Sequence, residues 1–342
     1  MSPEGEAVIL YTMRNSAGAE VRLTNIGAAV VAVVVPDRDG RMGDVALGYS
    51  HFGDYFGDGA SMGKIVGRVA NRVGNAMFTL DGQEYRLTRN APPHHIHGGG
   101  AGGFANKLWT ARVETDRVVF GYVSPDGEEG YPGELGCEVV YDWDDDNVLE
   151  ITMYARSSAS TVVNLTNHLY FNLAGESSGS VLGHELRINA DSFLATDRLQ
   201  VPDGKLIPVG GTPMDFRIPK TLGRDIDSDY EPLRTGFGYD HCWAVAGWEK
   251  GGLSTVAELR DPDSGRTVEV RSTLPGLQVY TGNFLSGGPQ GKGGRAYADR
   301  DGVALECQGF PNAPNVPSFP SQRLGPDETY EEHIIYRFGV RG

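Results

Sequence analysis

Cysteine is scarce in this sequence, which has three among 342 residues: Cys137, Cys242 and Cys307. They are odd in number and far apart, and none belongs to a CxxC pair, so a disulfide framework and a structural zinc site are both disfavoured. Because disulfides persist mainly in oxidising compartments, this composition predicts a reduced, cytoplasmic setting.

Long hydrophobic runs are also missing. No stretch approaches the roughly 20 apolar residues that a membrane-spanning helix needs. Residues 1–11 include Glu4 and Glu6 and have no long apolar core, so they do not resemble a signal peptide. We therefore predict no membrane partner.

Positive charge is outnumbered, with 30 Lys and Arg against 45 Asp and Glu, a net charge of −15. An acidic surface of this kind disfavours nucleic acid and anionic lipid as partners. The sequence also has no phosphate-binding P-loop, no GxSxG nucleophile motif and no dinucleotide-binding glycine fingerprint after a strand. A neutral small molecule is therefore the class of partner that the charge and the missing motifs do not disfavour.

Strand-like alternation is the dominant pattern that is present. Apolar residues occupy every second position over 135–141 and 149–155, and the acidic stretch 142–147 between them predicts a turn. Asp81-Gly82 between alternating segments predicts a β-hairpin, because such a turn needs the positive φ that Gly supplies. The apolar, β-branched run 28–35 predicts a strand buried on both faces.

Helical periodicity is weak, and a short helix near residues 50–56 is the most that the pattern allows. The prediction is an all-β fold, either a large sandwich or a barrel. The glycine-rich loops 98–103 and 287–294 are too short to link domains, so we expect residues 1–342 to form one domain. The first loop follows several histidines and either borders a site or is a flexible surface loop.

Four short segments concentrate chemically capable side chains in apolar surroundings: GRVANR at 67–72, HHIHGG at 94–99, NLTNHLYFN at 164–172 and LECQ at 305–308. Two weaker segments are GYDH at 238–241 and LQVY at 277–280. Their spacing along the chain does not show by itself that they meet.

His168 and Glu306 are candidates for proton transfer. Histidine can hold and release a proton near neutral pH, so His168 is a candidate general acid. Glu306 follows the apolar run 303–305, and burial without a partner would raise its pKa and make it a candidate base. Taken singly, each also fits a structural role, as a hydrogen-bonded histidine and a salt-bridged glutamate.

Metal binding and sugar binding are two further hypotheses. His95 and His97 stand two residues apart, and on a strand they would share one face, as ligands of a cupin-like metal site do. Side chains that suit neutral hydroxyls, or else form structural ion pairs, occur at Arg68, Arg72, Asp240 and Gln278.

Taken in order, these segments resemble the aldose 1-epimerase (galactose mutarotase) family. The similarity runs from about residue 21 to residue 338 and is carried by GRVANR (67–72), HGG (97–99), NLTNH with YFNL (164–173), DFR (215–217), YDH (239–241), QVYTGN (278–283) and LE, Q and FPNA (305–313). One such motif would be weak evidence, whereas seven in family order are specific.

The resemblance implies a single catalytic domain, a large antiparallel β-sandwich of the galactose mutarotase type, with no cofactor and no metal. It implies His168 as general acid, Glu306 as general base and His97 as a second active-site histidine near the sugar ring oxygen. Substrate-binding positions are implied at Asn71, Arg72, Tyr170, Asp240 and Gln278, and Arg72 matches better than Arg68. The expected activity is interconversion of the α and β anomers of a free aldohexose of the galactose/glucose class, by a monomer or a homodimer.

Some positions depart from the family pattern. His95-Ile96 replace a small polar residue and Leu, Cys242-Trp243 replace an asparagine and a smaller apolar residue, and Cys307 replaces a common threonine. Either these changes are neutral, or His95 or Trp243 shapes the pocket for another sugar. A related enzyme for a modified or unusual sugar and a non-catalytic carbohydrate-binding protein remain alternatives, whereas a sugar phosphate is disfavoured by the small number of cationic groups.

Overall fold

The computed structural model describes residues 1–2 and 5–342, and their regular secondary structure is mostly antiparallel β-strand. The largest sheet has nine strands. In spatial order they are Thr110–Glu114, Arg117–Ser124, Leu135–Trp143, Val148–Ser157, Tyr330–Val340, Arg266–Ser272, Ser254–Arg260, Glu185–Ile188 and Lys220–Thr221.

A second sheet has six strands and carries most of the site described below. In spatial order they are Tyr170–Phe171, Val303–Gln308, Gly276–Tyr280, Asp240–Ala244, Ser192–Thr196 and Pro202–Pro208. Every residue of Val303–Gln308 is buried, because this strand is covered on both faces.

Smaller sheets surround these two. A four-stranded sheet contains Leu10–Arg14, Glu20–Thr24, Ala29–Pro36 and Met42–Asp44. Two-stranded pairs join Ile65–Val66 to Thr166–Asn167, Arg72–Val73 to His95–Ile96, Met77–Leu80 to Gln83–Arg86, and Thr161–Val162 to Arg323–Leu324.

Helix is sparse in this fold. The α-helix is Glu231–Gly236, and short 3-10 turns lie at Phe52–Tyr55, Gly74–Ala76, Phe104–Asn106, Glu128–Gly130, Val181–Gly183, Leu222–Arg224 and Ala313–Asn315. Among residues 1–2 and 5–342, no helix combines the length and the apolar character that a bilayer crossing requires.

The main hydrophobic core lies between the nine-stranded and six-stranded sheets. Alternation puts Leu135, Cys137, Val139 and Tyr141 on the inner face of their strand, with the residues between them more exposed. The Phe171 and Tyr336 rings, one from each sheet, meet edge to face with centroids 5.1 Å apart. Two sheets that enclose one core form a β-sandwich, which confirms the predicted fold class.

Several local predictions are confirmed. The alternating segments 135–141 and 149–155 lie in adjacent strands joined by a turn at 144–147, and run 28–35 forms the buried strand Ala29–Pro36. Asp81 and Gly82 both have positive φ in the hairpin turn that they predicted. The helix expected near 50–56 is the 3-10 turn Phe52–Tyr55.

Candidate active site

The floor of the site is formed by neighbouring strands of the six-stranded sheet. Gln278 lies directly opposite Glu306 on the next strand, and Asp240 lies opposite Tyr280. Residues paired in this way point to the same sheet face. Side chains alternate along a strand. Leu305 and Cys307, the chain neighbours of Glu306, pack into the main core, so Glu306 points to the opposite face.

His168 and Glu306 meet on this floor. The His168 Nε2 atom lies 3.5 Å from the Glu306 Oε1 atom, and the two side chains are 5% and 2% exposed. Within the described part of the chain, neither His168 Nδ1 nor Glu306 Oε2 has a hydrogen-bond partner. A buried polar atom without a partner is costly, so these atoms are suited to contact a polar ligand.

Burial sets the proton affinity of this pair. It lowers the pKa of His168 to about 4. It raises the pKa of Glu306 well above the usual carboxyl range, with a further increase from the Asp240 charge and an opposing effect of Arg72. Each charged form is disfavoured by loss of water, and the two groups share one proton over the pH range between these values.

His97 lies beside the pair, with its ring centroid 5.4 Å from that of His168. The Asn71 backbone N–H donates to His97 Nδ1 at 3.2 Å, and the His97 backbone N–H donates to the Asn71 carbonyl at 3.0 Å. Burial lowers the pKa of His97 well below its usual value, so the ring is neutral. Because Nδ1 accepts, the remaining proton is on Nε2, which makes that atom a hydrogen-bond donor.

The other predicted binding residues converge on the same place. Gln278 Nε2 donates to Asp240 Oδ1 at 2.6 Å, and Arg72 donates to Gln200 Oε1 at 2.8 Å. The Tyr170 ring is tilted over His168, with centroids 4.9 Å apart. All eight residues predicted for the site are therefore brought together: His168, Glu306, His97, Asn71, Arg72, Tyr170, Asp240 and Gln278.

Arg68 is a structural anchor. Its buried guanidinium donates to the carbonyls of Pro132 and Gly133 at 2.9 and 2.8 Å and to the hydroxyl of Ser124 at 2.6 Å. The preference for Arg72 as the residue at the site therefore agrees with the geometry.

The hypothesis that His95 and His97 form a metal site is wrong in its geometry. Their strand ends at Ile96, and His97 has a φ of 52°, so the two rings do not share a strand face. Both ring nitrogens of His95 are engaged, by the Thr88 carbonyl at 2.6 Å and the Tyr131 hydroxyl at 2.8 Å.

The alternative in which His95 or Trp243 shapes the pocket is not supported by the positions of these two residues. His95 is fully buried against Tyr131. Trp243 is fully buried in the main core, on the sheet face opposite Asp240, because side chains alternate along their strand.

Known proteins resemble this chain over its whole length. The sequence profile of the family described as aldose 1-epimerase matches residues 10–337. Galactose mutarotase from Bos taurus is 40% identical over 338 residues, which cover 99% of this chain and 96% of that relative. Aldose 1-epimerase from Escherichia coli (strain K12) is 37% identical over 342 residues, with 99% and 97% covered. The chain belongs to the aldose 1-epimerase family.

Solved structures of this family have the same fold. An aldose epimerase homologue from C. elegans superposes with a TM-score of 0.90 at 29% identity, covering 98% of this chain and all of the other (100%). Galactose 1-epimerase from Lactobacillus acidophilus NCFM gives a TM-score of 0.86 at 27% identity, with 100% and 97% covered. Interconversion of aldose anomers, an isomerase activity on carbohydrates, is confirmed for this chain by its family, and the non-catalytic alternative is wrong.

Two residues of this aldose epimerase site were given no role from the sequence. Tyr280 is half-buried, with its ring centroid 6.4 Å from that of His168 and 6.0 Å from that of Tyr170. Its position two residues after Gln278 could have indicated it, because alternate residues share a strand face. Gln200, the partner of Arg72, lies in a turn far away in sequence and has no comparable signal.

Proposed function

We propose that the chain interconverts the α and β anomers of a free aldohexose of the galactose/glucose class, with His168 as acid and Glu306 as base. The observation that carries this proposal is the buried contact of 3.5 Å between His168 and Glu306 on the floor of the site. The names of the relatives, galactose mutarotase among them, support the substrate class.

The reaction needs two proton transfers. Glu306 removes the proton from the anomeric hydroxyl while His168 protonates the ring oxygen, and the C1–O5 bond breaks to give the open aldehyde. Rotation about C1–C2 presents the other carbonyl face, and ring closure returns both protons by the reverse steps. Protons and bonds balance over the cycle, so this chemistry requires no metal or cofactor.

The shared proton must be on His168 when the sugar binds. Burial opposes this arrangement because it separates charge in a dry site. Arg72 favours it by lowering the pKa of Glu306, whereas the Asp240 charge raises the pKa of both groups. We infer that Arg72 offsets part of the cost of forming the carboxylate.

Sugar hydroxyls require both donors and acceptors at fixed places. Arg72 and Asn71 offer donors, Asp240 offers acceptors, and the Gln278 amide offers both. In this proposal the His97 Nε2 proton contacts the sugar near its ring oxygen. Tyr170 donates its hydroxyl to the Ala60 carbonyl at 3.1 Å, so its contribution to binding is the face and edge of its ring.

We further propose that residues 1–342 act as one catalytic domain, as a monomer or homodimer in the cytoplasm. The burial of Cys137, Cys242 and Cys307, which are unpaired among the described residues, fits a reduced compartment.

Polarimetry tests the roles of the acid and the base. We expect His168→Ala and Glu306→Gln each to lower kcat by roughly 10² to 10⁴-fold, the usual contribution of a placed acid or base, with unchanged circular dichroism. A matched control is the surface pair His333 and Glu150, whose Nδ1 and Oε1 atoms are 3.1 Å apart. His333→Ala and Glu150→Gln should keep full activity, and near-normal rates for either site variant would refute the assigned roles.

An enzyme for a modified or unusual sugar is the second candidate, and Cys242 is the observation that favours it. Cys242 lies opposite Gln278, on the site face of its strand, where the family more often has an asparagine. A panel of aldoses assayed by exchange NMR separates the two candidates. Acceleration with galactose or glucose supports the first, and acceleration with modified sugars alone supports the second.

A further inference from the structure

A buried ion pair lies behind the acid. The Lys64 ammonium contacts the Asp58 carboxylate, and both side chains are fully buried. Removing two charges from water is costly, and a well-packed apolar pair is often at least as stable. The stability of the fold therefore does not by itself explain why charges occur here.

The pair closes a short loop, residues 58–64, which we call the Asp58 loop. One carboxylate oxygen of Asp58 contacts Lys64, and the other accepts from the Met62 backbone N–H at 2.8 Å and the Tyr49 hydroxyl at 3.2 Å. Lys64 also donates to the Tyr55 carbonyl just before the loop. The carboxylate thus ties both ends of the loop to each other and to Tyr49.

The Asp58 loop holds the backbone of His168 on both sides. The His168 N–H donates to the Lys64 carbonyl at 2.8 Å, and the Gly63 N–H donates to the His168 carbonyl at 2.9 Å. The side chain of Asn167 donates to the Gly63 carbonyl at 2.9 Å.

The same loop holds the ring that packs on the acid. Tyr170 donates its hydroxyl to the Ala60 carbonyl at 3.1 Å, and its ring is tilted over His168 with centroids 4.9 Å apart. The backbone of His168 and the aromatic surface beside its imidazole therefore depend on the same seven-residue segment.

We propose that Asp58 and Lys64 are positioning residues: their ion pair fixes the Asp58 loop, and the loop fixes His168 and Tyr170 for proton transfer to the sugar ring oxygen. This inference rests on the proposed role of His168 as acid. Neither Asp58 nor Lys64 is assigned a contact with the sugar. Because the loop also holds the sugar-binding ring of Tyr170, removing the pair should slow the chemical step more than it weakens substrate binding.

The experiment compares Asp58→Asn and the double variant Asp58→Asn/Lys64→Met with the parent protein, by polarimetry on galactose. Small misplacements of a catalytic group cost up to about 100-fold, and we expect kcat to fall at least about tenfold with KM within about twofold. The double variant leaves no unpaired buried charge, so it keeps the test usable if Asp58→Asn does not fold.

Lys220→Met is the matched control. Lys220 is a buried lysine that donates to the Pro213 carbonyl at 2.6 Å and pairs with Asp225 at 2.7 Å, at an edge of the nine-stranded sheet. The Lys220→Met substitution should lower the thermal unfolding temperature without changing kcat.

Three outcomes would overturn the inference: an unchanged kcat in folded variants, a rise in KM that matches the fall in kcat, or a double variant that does not fold. His168→Ala separates this failure from failure of the proposed function. If His168→Ala is inactive while Asp58→Asn is fully active, the role of the ion pair alone is wrong. If His168→Ala is active, the proposed role of His168 as the acid is wrong.

Discussion

At the scale of single residues, burial gives two ordinary side chains the properties of an acid–base pair. His168 and Glu306 lie 3.5 Å apart with almost no exposure, so neither holds a charge as easily as it would in water. Arg72 opposes this effect at Glu306, whereas the Asp240 charge favours the protonated form of both groups. The balance keeps one mobile proton within reach of a sugar.

The pH dependence of kcat/KM follows from this balance. As pH falls through the His168 pKa of about 4, the pair gains a second proton and Glu306 can no longer act as base. As pH rises through the elevated pKa of Glu306, the pair loses its last proton and His168 can no longer act as acid. We expect a bell-shaped profile for the free enzyme, after subtraction of the uncatalysed rate.

An acidic limb near the usual histidine pKa of about 6.5 would contradict this prediction. So would a rate that keeps rising with pH, because the fully deprotonated pair has no proton for the ring oxygen.

The sequence predicts these residues at two levels of detail. Residue types alone left His168 and Glu306 open to structural roles, because nothing in their spacing shows that positions 138 apart meet. The ordered motifs supplied that information through the family. Arg68 and Arg72 could not be separated by chemistry, since both have the same guanidinium, and only the surrounding carbonyls make Arg68 an anchor.

At the scale of elements, the turn after His95–Ile96 decides where His97 points. Gly98 has a φ of 74°, and a Cβ added there would lie 1.9 Å from the Gly67 carbonyl oxygen. Only a glycine lets this turn pack against the segment that carries Asn71 and Arg72. His97 is thereby placed beside His168.

Gly98→Ala should therefore separate these two segments. We expect a lower kcat/KM and a lower thermal unfolding temperature, measured by polarimetry and calorimetry, because the new methyl group forces the backbone apart. Gly100→Ala is the control from the same loop, since a Cβ there meets nothing within 4 Å. Equal effects of the two substitutions would contradict the prediction.

Long alternating strands were predictable, and short irregular elements were not. Segments 135–141 and 149–155 repeat with period two over several residues, so their pattern is unambiguous. The strand His95–Ile96 has two residues, too few for any period. His97 has a left-handed φ, so its side chain does not lie on the same face as that of His95, as the metal hypothesis required.

At the scale of the whole molecule, buried neutral histidines make the fold sensitive to acid. His184 accepts the Leu173 backbone N–H through Nε2 at 2.8 Å, and burial lowers its pKa to about 4. Between about pH 6.5 and 4 the unfolded chain binds a proton at this position and the folded chain does not. The contribution of His184 to the free energy of unfolding therefore falls as pH falls through that window.

Urea unfolding at pH 7 and pH 5 tests this linkage. We expect the parent protein to lose more stability on acidification than His184→Gln, by about 1.4 kcal/mol for each pH unit inside the window. Glutamine can still accept the Leu173 N–H but does not titrate. An identical loss of stability in both proteins would contradict the prediction.

The sandwich also explains why the site is built from distant parts of the chain. The six-stranded sheet places Glu306 opposite Gln278, and the pairing of Ile65–Val66 with Thr166–Asn167 delivers His168 to the same floor. Strand order in a sheet of this size is set by long-range packing. The alternating pattern therefore predicted strands but not which strands lie side by side.

The most direct test is a crystal structure of the protein with bound galactose. We expect one Glu306 carboxylate oxygen within about 2.6–3.2 Å of the anomeric oxygen O1 and one His168 ring nitrogen at the same distance from the ring oxygen O5. A sugar bound away from this pair, or one with both side chains on the same oxygen, would contradict the proposed acid–base mechanism.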